Sequence, residues 1–302
     1  MNNEITTLDT NNFEAMSQLM GMDSDITQKK QASTLSRLKI QHSPIMGEIV
    51  VKGKKTQAAV VNGGVYKLDD LEKEKVYYAS KITIRPYLQR FMYKKFVKPD
   101  NDKGFYVKTV MSDNLNMDLK DNTGGFNCGK PTGYIKDYNA LPDATKQIIK
   151  GIKRVRALFG TVMFHDAVDE NGDEIVFDTA IPFIWEIDNR DAFKIMGEPI
   201  SKIGSWKHIL IQHGISLGTE EKSLPNGNSF YLPTYEVLPD TIDIGEEEQK
   251  VFEDFVQWIK NYNTYIFNIW TEKAKNKNGD LSDEDLNVVD DFVDVELDSN
   301  ES

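Results

Sequence analysis

The chain has 302 residues and a formal net charge of −12, long enough for one large domain or two small ones, each able to bury a core. Its one cysteine, Cys128, excludes an intrachain disulfide and suits a reducing compartment. The first ten residues lack a signal-peptide pattern and the longest apolar stretches, such as 181–187, are too short to cross a bilayer. A cytoplasmic protein without a membrane partner is expected.

Residues 1–34 are rich in Asn, Asp, Ser, Thr and Gln, and their one apolar patch, 13–20, predicts a small amphipathic helix in an otherwise mobile arm. From Leu35 the pattern turns to β. Residues 37–40, 48–51 and 57–61 alternate, while Gly53 and then Asn62, Gly63 and Gly64 supply turns. A run rich in Tyr, Ile, Thr, Phe and Val spans 75–97, and another strand follows at 104–110. After a Gly-Asn-Asp loop and a short helix at 143–150, strands at 155–164 and 174–187 flank Asn171-Gly172, a pair that favours a hairpin turn. Residues 208–217 and 229–238 read as a further hairpin. Two helices break the pattern. One covers 188–203 with a break at Pro199. The other covers 246–275, with Phe252, Phe255, Val256, Ile259, Tyr262, Ile266 and Ile269 on one face.

The expected fold is therefore mainly β in an α+β arrangement, with an OB-like barrel core, a long C-terminal helix and a disordered acidic tail. Its parts are an arm at 1–34, a β-rich nucleic-acid-binding core at 35–240, an amphipathic helix at 241–278 and the tail at 279–302.

The core's most distinctive segment lies between Lys73 and Lys108, which holds ten basic residues, three acids and eight aromatics. Cations neutralise phosphates and release counterions, and exposed rings stack bases of any sequence, so this mixture suits single-strand binding. The preferred phosphate contacts are Arg85, Arg90, Lys94 and Lys95, joined by Lys81 and Lys108, and the preferred stackers are Tyr87, Phe91 and Tyr93. A second basic cluster adds Lys153, Arg154 and Arg156, and the glycine-rich connection adds Lys130. On a half-buried strand, however, alternate aromatics are core and alternate lysines face solvent. Moreover, Tyr87, Phe91 and Tyr93 can share a face with Arg90 and Lys94 only if a bulge or helix intervenes.

Residues 280–302 carry ten acids and no Lys or Arg, which leaves the rest of the chain at −2. Block charge at a terminus reads as an interaction tail. Apolar residues run through it, so Asp290, Asp291, Phe292, Val293 and Asp294 are expected to dock replication or recombination proteins. The same polyanion can occupy a basic groove and be displaced by a nucleic-acid strand.

With its basic-aromatic stretch at 77–108 and its acidic-apolar tail at 290–298, the chain resembles a phage single-stranded DNA-binding protein. The resemblance implies an OB-type core followed by a helix and a partner-docking tail, in the host cytoplasm. Residues 29–34, KKQAST, look like the basic-plus-Ser/Thr motif that T4-type helix-destabilising proteins use for cooperative self-association. The chain departs from that pattern in ending Asn300-Glu301-Ser302 and in lacking the cysteines and histidines of the T4-type zinc site.

Residues 124–130, GGFNCGK, match part of a phosphate-binding loop, but Pro131 stands where the magnesium-binding hydroxyl belongs. Cys128 has no second cysteine for zinc, and His208 and His213, five apart on an expected strand, fall on opposite faces. The expectation is thus a non-enzymatic, sequence-tolerant binder of single-stranded DNA, with neither cofactor nor metal, that protects replication or recombination intermediates. The alternatives are a phage structural or assembly protein and a carboxylate-dependent nuclease using Asp166 and Asp169.

Overall fold

The computed structural model describes residues 35–99, 103–133, 135–224 and 227–275. The helix expected at 13–20, the motif at 29–34 and the tail residues Asp290, Asp291, Phe292, Val293 and Asp294 lie outside the described residues.

The fold is mainly β. Its strands are β1 (Ser36–Gln41), β2 (Ile45–Val51), β3 (Lys54–Val61), β4 (Val65–Asp70), β5 (Lys75–Ala79), β6 (Lys81–Val97), β7 (Phe105–Lys108), β8 (Ile152–His165), β9 (Ile181–Ile187), β10 (His213–Ser223) and β11 (Ser229–Thr241). Nine of them form one mixed sheet in the order β11-β10-β6-β8-β9-β1-β4-β5, with β7 also on β6, while β2 and β3 pair separately. The ladders are antiparallel except β1 on β9. The sheet curls until Tyr66 on β4 donates to the Gly218 carbonyl of β10 at 3.0 Å. Among the described residues no ladder joins β11 to β5, so the sheet does not close as the expected barrel would.

The helices are α1 (Asp143–Lys150), α2 (Arg190–Ile195), α3 (Glu198–Ser205) and α4 (Glu246–Lys275). The helix expected over 188–203 divides at Met196 and Gly197, with Pro199 in the first turn of α3 rather than at the break. A proline there costs nothing, because the first amides of a helix have no intrahelical acceptor. The strand expected over 174–187 begins only at Ile181, and Asn171-Gly172 turns within the long β8–β9 connection instead of at a hairpin tip. There Asp169 accepts amides from Asn171 and Asp173, which accounts for that carboxylate without a metal.

Two cores lie on opposite faces of the β6–β8 ladder. The first, inside the curl, includes Leu38, Tyr66, Ile82, Ile84, Leu158, Phe183 and Trp185 and is closed by Ala192, Met196 and Ile203 from α2 and α3. The second forms where Phe255, Ile259, Tyr262 and Ile266 of α4 cover Leu88, Met92, Val155 and Phe159. The helical spacing of these residues is the stripe read from the sequence, with Phe252 exposed at its margin.

Both faces are fed by one bulge. The β6–β8 register shifts between Pro86 and Leu88, leaving Tyr87 as the extra residue. Before the bulge, even-numbered Ile82 and Ile84 face the first core; after it, even-numbered Leu88 and Met92 face α4. Gly160 lies opposite, and a β-carbon there would sit 2.3 Å from the Arg85 carbonyl oxygen. Gly160→Ala is expected to destabilise the fold by about 1–3 kcal/mol, since backbone must move to make room. Urea denaturation of the two proteins measures the difference.

Candidate nucleic-acid interface

Because β6 changes parity at the bulge, its last residues sort the predicted site onto two faces. Lys94 registers with Lys108 on β7 and Lys153 on β8, whereas Tyr93 registers with Arg154 and Phe91 with Arg156.

On the α4 face the cations are already paired. Glu186 accepts from Lys108 at 2.9 and 3.2 Å and from Lys94 at 3.4 Å, and Asp188 takes Lys94 at 3.4 Å and Lys153 at 3.2 Å. Burial opposes ionisation of Glu186, but the adjacent Lys108 and Lys94 outweigh it and hold the carboxyl at about 2. Burial pushes Lys108 down despite Glu186, with Lys94 adding repulsion. On Lys94 the same burial penalty is overcome by Glu186 and Asp188, so its pKa rises.

Three other predicted contacts are also engaged within the fold. Arg85 donates to the carbonyls of Ile211 at 2.7 Å and Asp243 at 2.8 Å and pairs with Glu248 at 2.9 Å, tying the start of α4 to β6. Arg90 pairs with Asp113 at 3.2 Å. Tyr87 is a core residue, set edge-on to Phe255 with ring centroids 5.5 Å apart, so its ring is not offered to a base.

The opposite face differs. Arg156, buried, donates to the Gln89 side chain and to the Phe193 carbonyl, and its guanidinium lies over the rings of Phe91 at 5.1 Å and Phe193 at 4.6 Å. The exposed Arg154 sits 5.5 Å from the Phe193 ring, and the half-buried Lys130 5.5 Å from that of Tyr93. Tyr93 itself is buried, so it floors this strip rather than stacking on a ligand. Among the described residues no carboxylate pairs with Arg154 or Lys130. Partial burial lowers the Lys130 pKa, the Arg154 charge lowers it further, and Asp118 opposes both. Two neighbouring cations that repel each other, without a paired acid, form a ready anion site. Lys95 on β6 and Lys81 at its far end also have no paired acid among the described residues.

The loop around Lys130 is held by two carboxylates, Asp118, which accepts from the Asn127 side-chain amide at 2.7 Å and the Thr132 hydroxyl at 2.6 Å, and Asp121. Asp121 accepts amides from Thr123 at 3.0 Å, Gly125 at 3.1 Å and Cys128 at 3.0 Å. Asn127, Cys128 and Gly129 then run through consecutive left-handed conformations, with φ of 54°, 56° and 92°. Lys130 emerges over Tyr93, its ammonium donating to the carbonyls of Pro131 and Gly133 at 3.0 Å each. Two consecutive non-glycine residues at positive φ store backbone strain, a feature that concentrates at functional sites. The Cys128 thiol is buried and its pKa pushed up, first by that burial and then by Asp121, the opposite of a reactive thiolate.

The same loop and the last turns of α4 bring together rings outside those expected from the sequence. Phe126 packs on Trp270 with centroids 5.5 Å apart, and Lys120 lies 4.1 Å from the rings of both Phe267 and Trp270. Phe126 is 43% and Phe267 45% exposed, unlike Tyr87 and Tyr93. Phe267 falls off the apolar stripe of α4, and Phe126 stands four residues before Lys130; both signals were present in the sequence. Phe193 carried no such signal, because its place beside Arg154 and Arg156 comes from packing of α2.

His208 and His213 are not on opposite faces of a strand. A 3₁₀ turn, Leu210–Gln212, folds the chain back so that His208 Nδ1 lies 2.7 Å from His213 Nε2, and the latter ring also contacts the Leu238 carbonyl at 3.1 Å. Among the described residues no group of three His, Cys, Asp or Glu could hold a metal ion. Comparison with protein-family models, with curated proteins and with solved structures finds no match for this chain.

Glu186 has its folded pKa below the ordinary carboxyl value of 4.5. The unfolded state therefore binds the proton more readily, and the stabilisation is full above about pH 4.5 and lost as pH falls towards 2. Glu186→Gln is expected to cost about 3 kcal/mol at pH 7, because it strands the buried Lys108. The variant should also lose less of its remaining stability between pH 4.5 and 2 than the wild type. Urea titrations at pH 7 and pH 3 measure both effects.

Proposed function

We propose that the chain is a non-enzymatic, sequence-tolerant binder of single-stranded DNA, with the Lys130–Arg154 pair as its phosphate contact. The single observation that carries the reading is this pair of adjacent cations without a paired carboxylate, presented beside Phe193 and by a strained loop that also exposes Phe126. Phosphates would displace the counterions of Lys130 and Arg154, and bases would stack on the exposed rings of Phe126 and Phe267. The curl of the sheet around its first core is the part of an OB-like architecture that the reading retains. Coating of replication or recombination intermediates in a host cytoplasm, docking of other proteins by residues 290–294 and self-association through the N-terminal arm complete the proposal.

A second reading, a structural or assembly protein, draws on the apolar groove beside α4 lined by Val110, Met111, Met117 and Phe267. It predicts oligomers that ignore oligonucleotides.

Fluorescence anisotropy of labelled oligo-dT against salt tests the choice. Wild type should bind tightly at low salt. Replacing two phosphate contacts, Lys130→Gln with Arg154→Gln, should weaken binding about tenfold and reduce the log–log salt slope by about 1.4. A truncation ending at Gly279 should bind more tightly than the full chain. Absence of binding by the full chain and the truncation at low salt would remove the reading and favour the assembly protein.

A further inference from the structure

We propose that the β2–β3 ribbon is a second phosphate contact for the same nucleic-acid strand, a basic-tipped arm standing apart from the Lys130–Arg154 site. The inference rests on the single-strand reading and adds a site that the basic-aromatic segment does not contain.

The ribbon is a separate two-stranded sheet, registered from Met46–Ala59 to Val51–Lys54. Its tip is a two-residue turn in which Lys52 and Gly53 have φ of 51° and 77°. Two positive φ values are what a tight hairpin with the natural strand twist requires, and Asn, Asp or Gly takes the first position at least strain. Lysine holds that position instead. Lys54 and Lys55 follow at once, and all residues from 52 to 57 are exposed. Glu48 is the ribbon's one carboxylate and pairs with Lys55 at 2.5 Å, while Lys52 and Lys54 have no paired acid among the described residues. The turn end of the ribbon therefore concentrates positive charge, at a cost in backbone strain that points to use of the side chain.

One face of the ribbon carries Met46 and Val50, 57% and 69% exposed, with Glu48 between them, and Lys55 registers opposite Val50 and holds the Glu48 carboxylate. Lys52 stands in the turn itself and Lys54 in the rung next to it, Lys55 and Val50 share the following rung, and Met46 lies nearer the base. A loop that entered a membrane would reverse that order, burying an apolar tip beneath a basic collar. A nucleic-acid strand fits the observed order, its phosphates on the tip lysines and base faces against Val50 and Met46.

The ribbon's base is held at the opposite end of β6 from the first site. Val61 is buried, the Gly64 amide donates to the Gln41 carbonyl at 2.7 Å, and the Tyr231 amide donates to His42 Nδ1 at 3.1 Å. Tyr66, just beyond, reaches Gly218 on β10, whose Leu217 registers with Ile82 next to Lys81. From Lys81 to Tyr93, the partner of Arg154, is about 40 Å of strand at about 3.3 Å per residue. The exposed Lys81 lies at the ribbon's end of that path.

The test uses the full chain with Lys52→Asn, Lys54→Gln and Lys55→Gln, the first being the residue such a turn prefers, so that the fold is kept. Oligo-dT of about 30 nucleotides, longer than single-domain site sizes of about 4–16, is compared with one of about 6, near the short end of that range. The expected result is about tenfold weaker binding of the long oligonucleotide and a salt slope smaller by about 2, with the short one unaffected. An unchanged slope for the long oligonucleotide, in a protein whose Lys130→Gln, Arg154→Gln variant is weakened, would overturn the arm and leave the first site standing. An equal loss for both lengths, or for a control with Lys207→Gln, Lys250→Gln and Lys260→Gln, would reduce the effect to general charge and also overturn it. Loss of binding to phosphatidylserine vesicles with no change on DNA would assign the ribbon to membranes instead. Failure of the wild type to bind either oligonucleotide would remove the underlying reading itself, and the arm with it.

Discussion

The constraint on which the rest of this structure depends is the long ladder between β6 and β8 and the single bulge within it. A strand of alternating residues can serve two cores only if each face is apolar along its length or if the alternation is reset. β8 takes the first course, with Leu158, Val162 and Phe164 on one side and Val155, Ala157 and Phe159 on the other. β6 takes the second, inserting Tyr87 so that Leu88 and Met92 meet α4 while Ile82 and Ile84 stay inside the curl. Gly160 permits this by leaving room for the Arg85 carbonyl. Arg85, on the α4 side of the bulge, then locks the helix start through Glu248.

The bulge also decides which basic residues remain available to a ligand. It places Lys94 with Lys108 and Lys153 over Glu186 and Asp188, where opposite charges neutralise one another in a partly dry environment. The next face receives Phe91 and Tyr93 opposite Arg156 and Arg154, without a paired carboxylate. An ordinary structural ion network and a candidate ligand site are thus made from adjacent residues of the same strands. The difference between them is one side-chain alternation.

Much of the architecture was legible in local pattern. The stripe from Phe255 to Ile266 gave α4, and the β-rich run at 75–97 became β5 and β6. The short helix at Asp143–Lys150 and the paired strands β10 and β11 also follow from spacing and turn residues. Where local reading failed, a long-range partner was responsible. β4 has no strong local signal, because Val65–Asp70 is short and ends in acids, and it is defined by its ladders to β1 and β5. The His208–His213 contact arises because a 3₁₀ turn replaces the expected strand. Of the residues named for binding, Lys130, Arg154, Arg156, Phe91 and Tyr93 come together, but Arg85, Lys94 and Lys108 are engaged by acids from distant positions.

The sequence by itself determined the charge segregation, the mainly β texture, the amphipathic C-terminal helix and the concentration of cations and rings between Lys73 and Lys108, because these depend on composition and on periods of two or 3.6 residues. Only the tertiary structure decided which cations are neutralised. Glu186 stands 78 residues from Lys108, and Glu248 stands 163 from Arg85. No local pattern encodes such pairs; they exist because a bulge, a curled sheet and a covering helix bring them within a few ångströms.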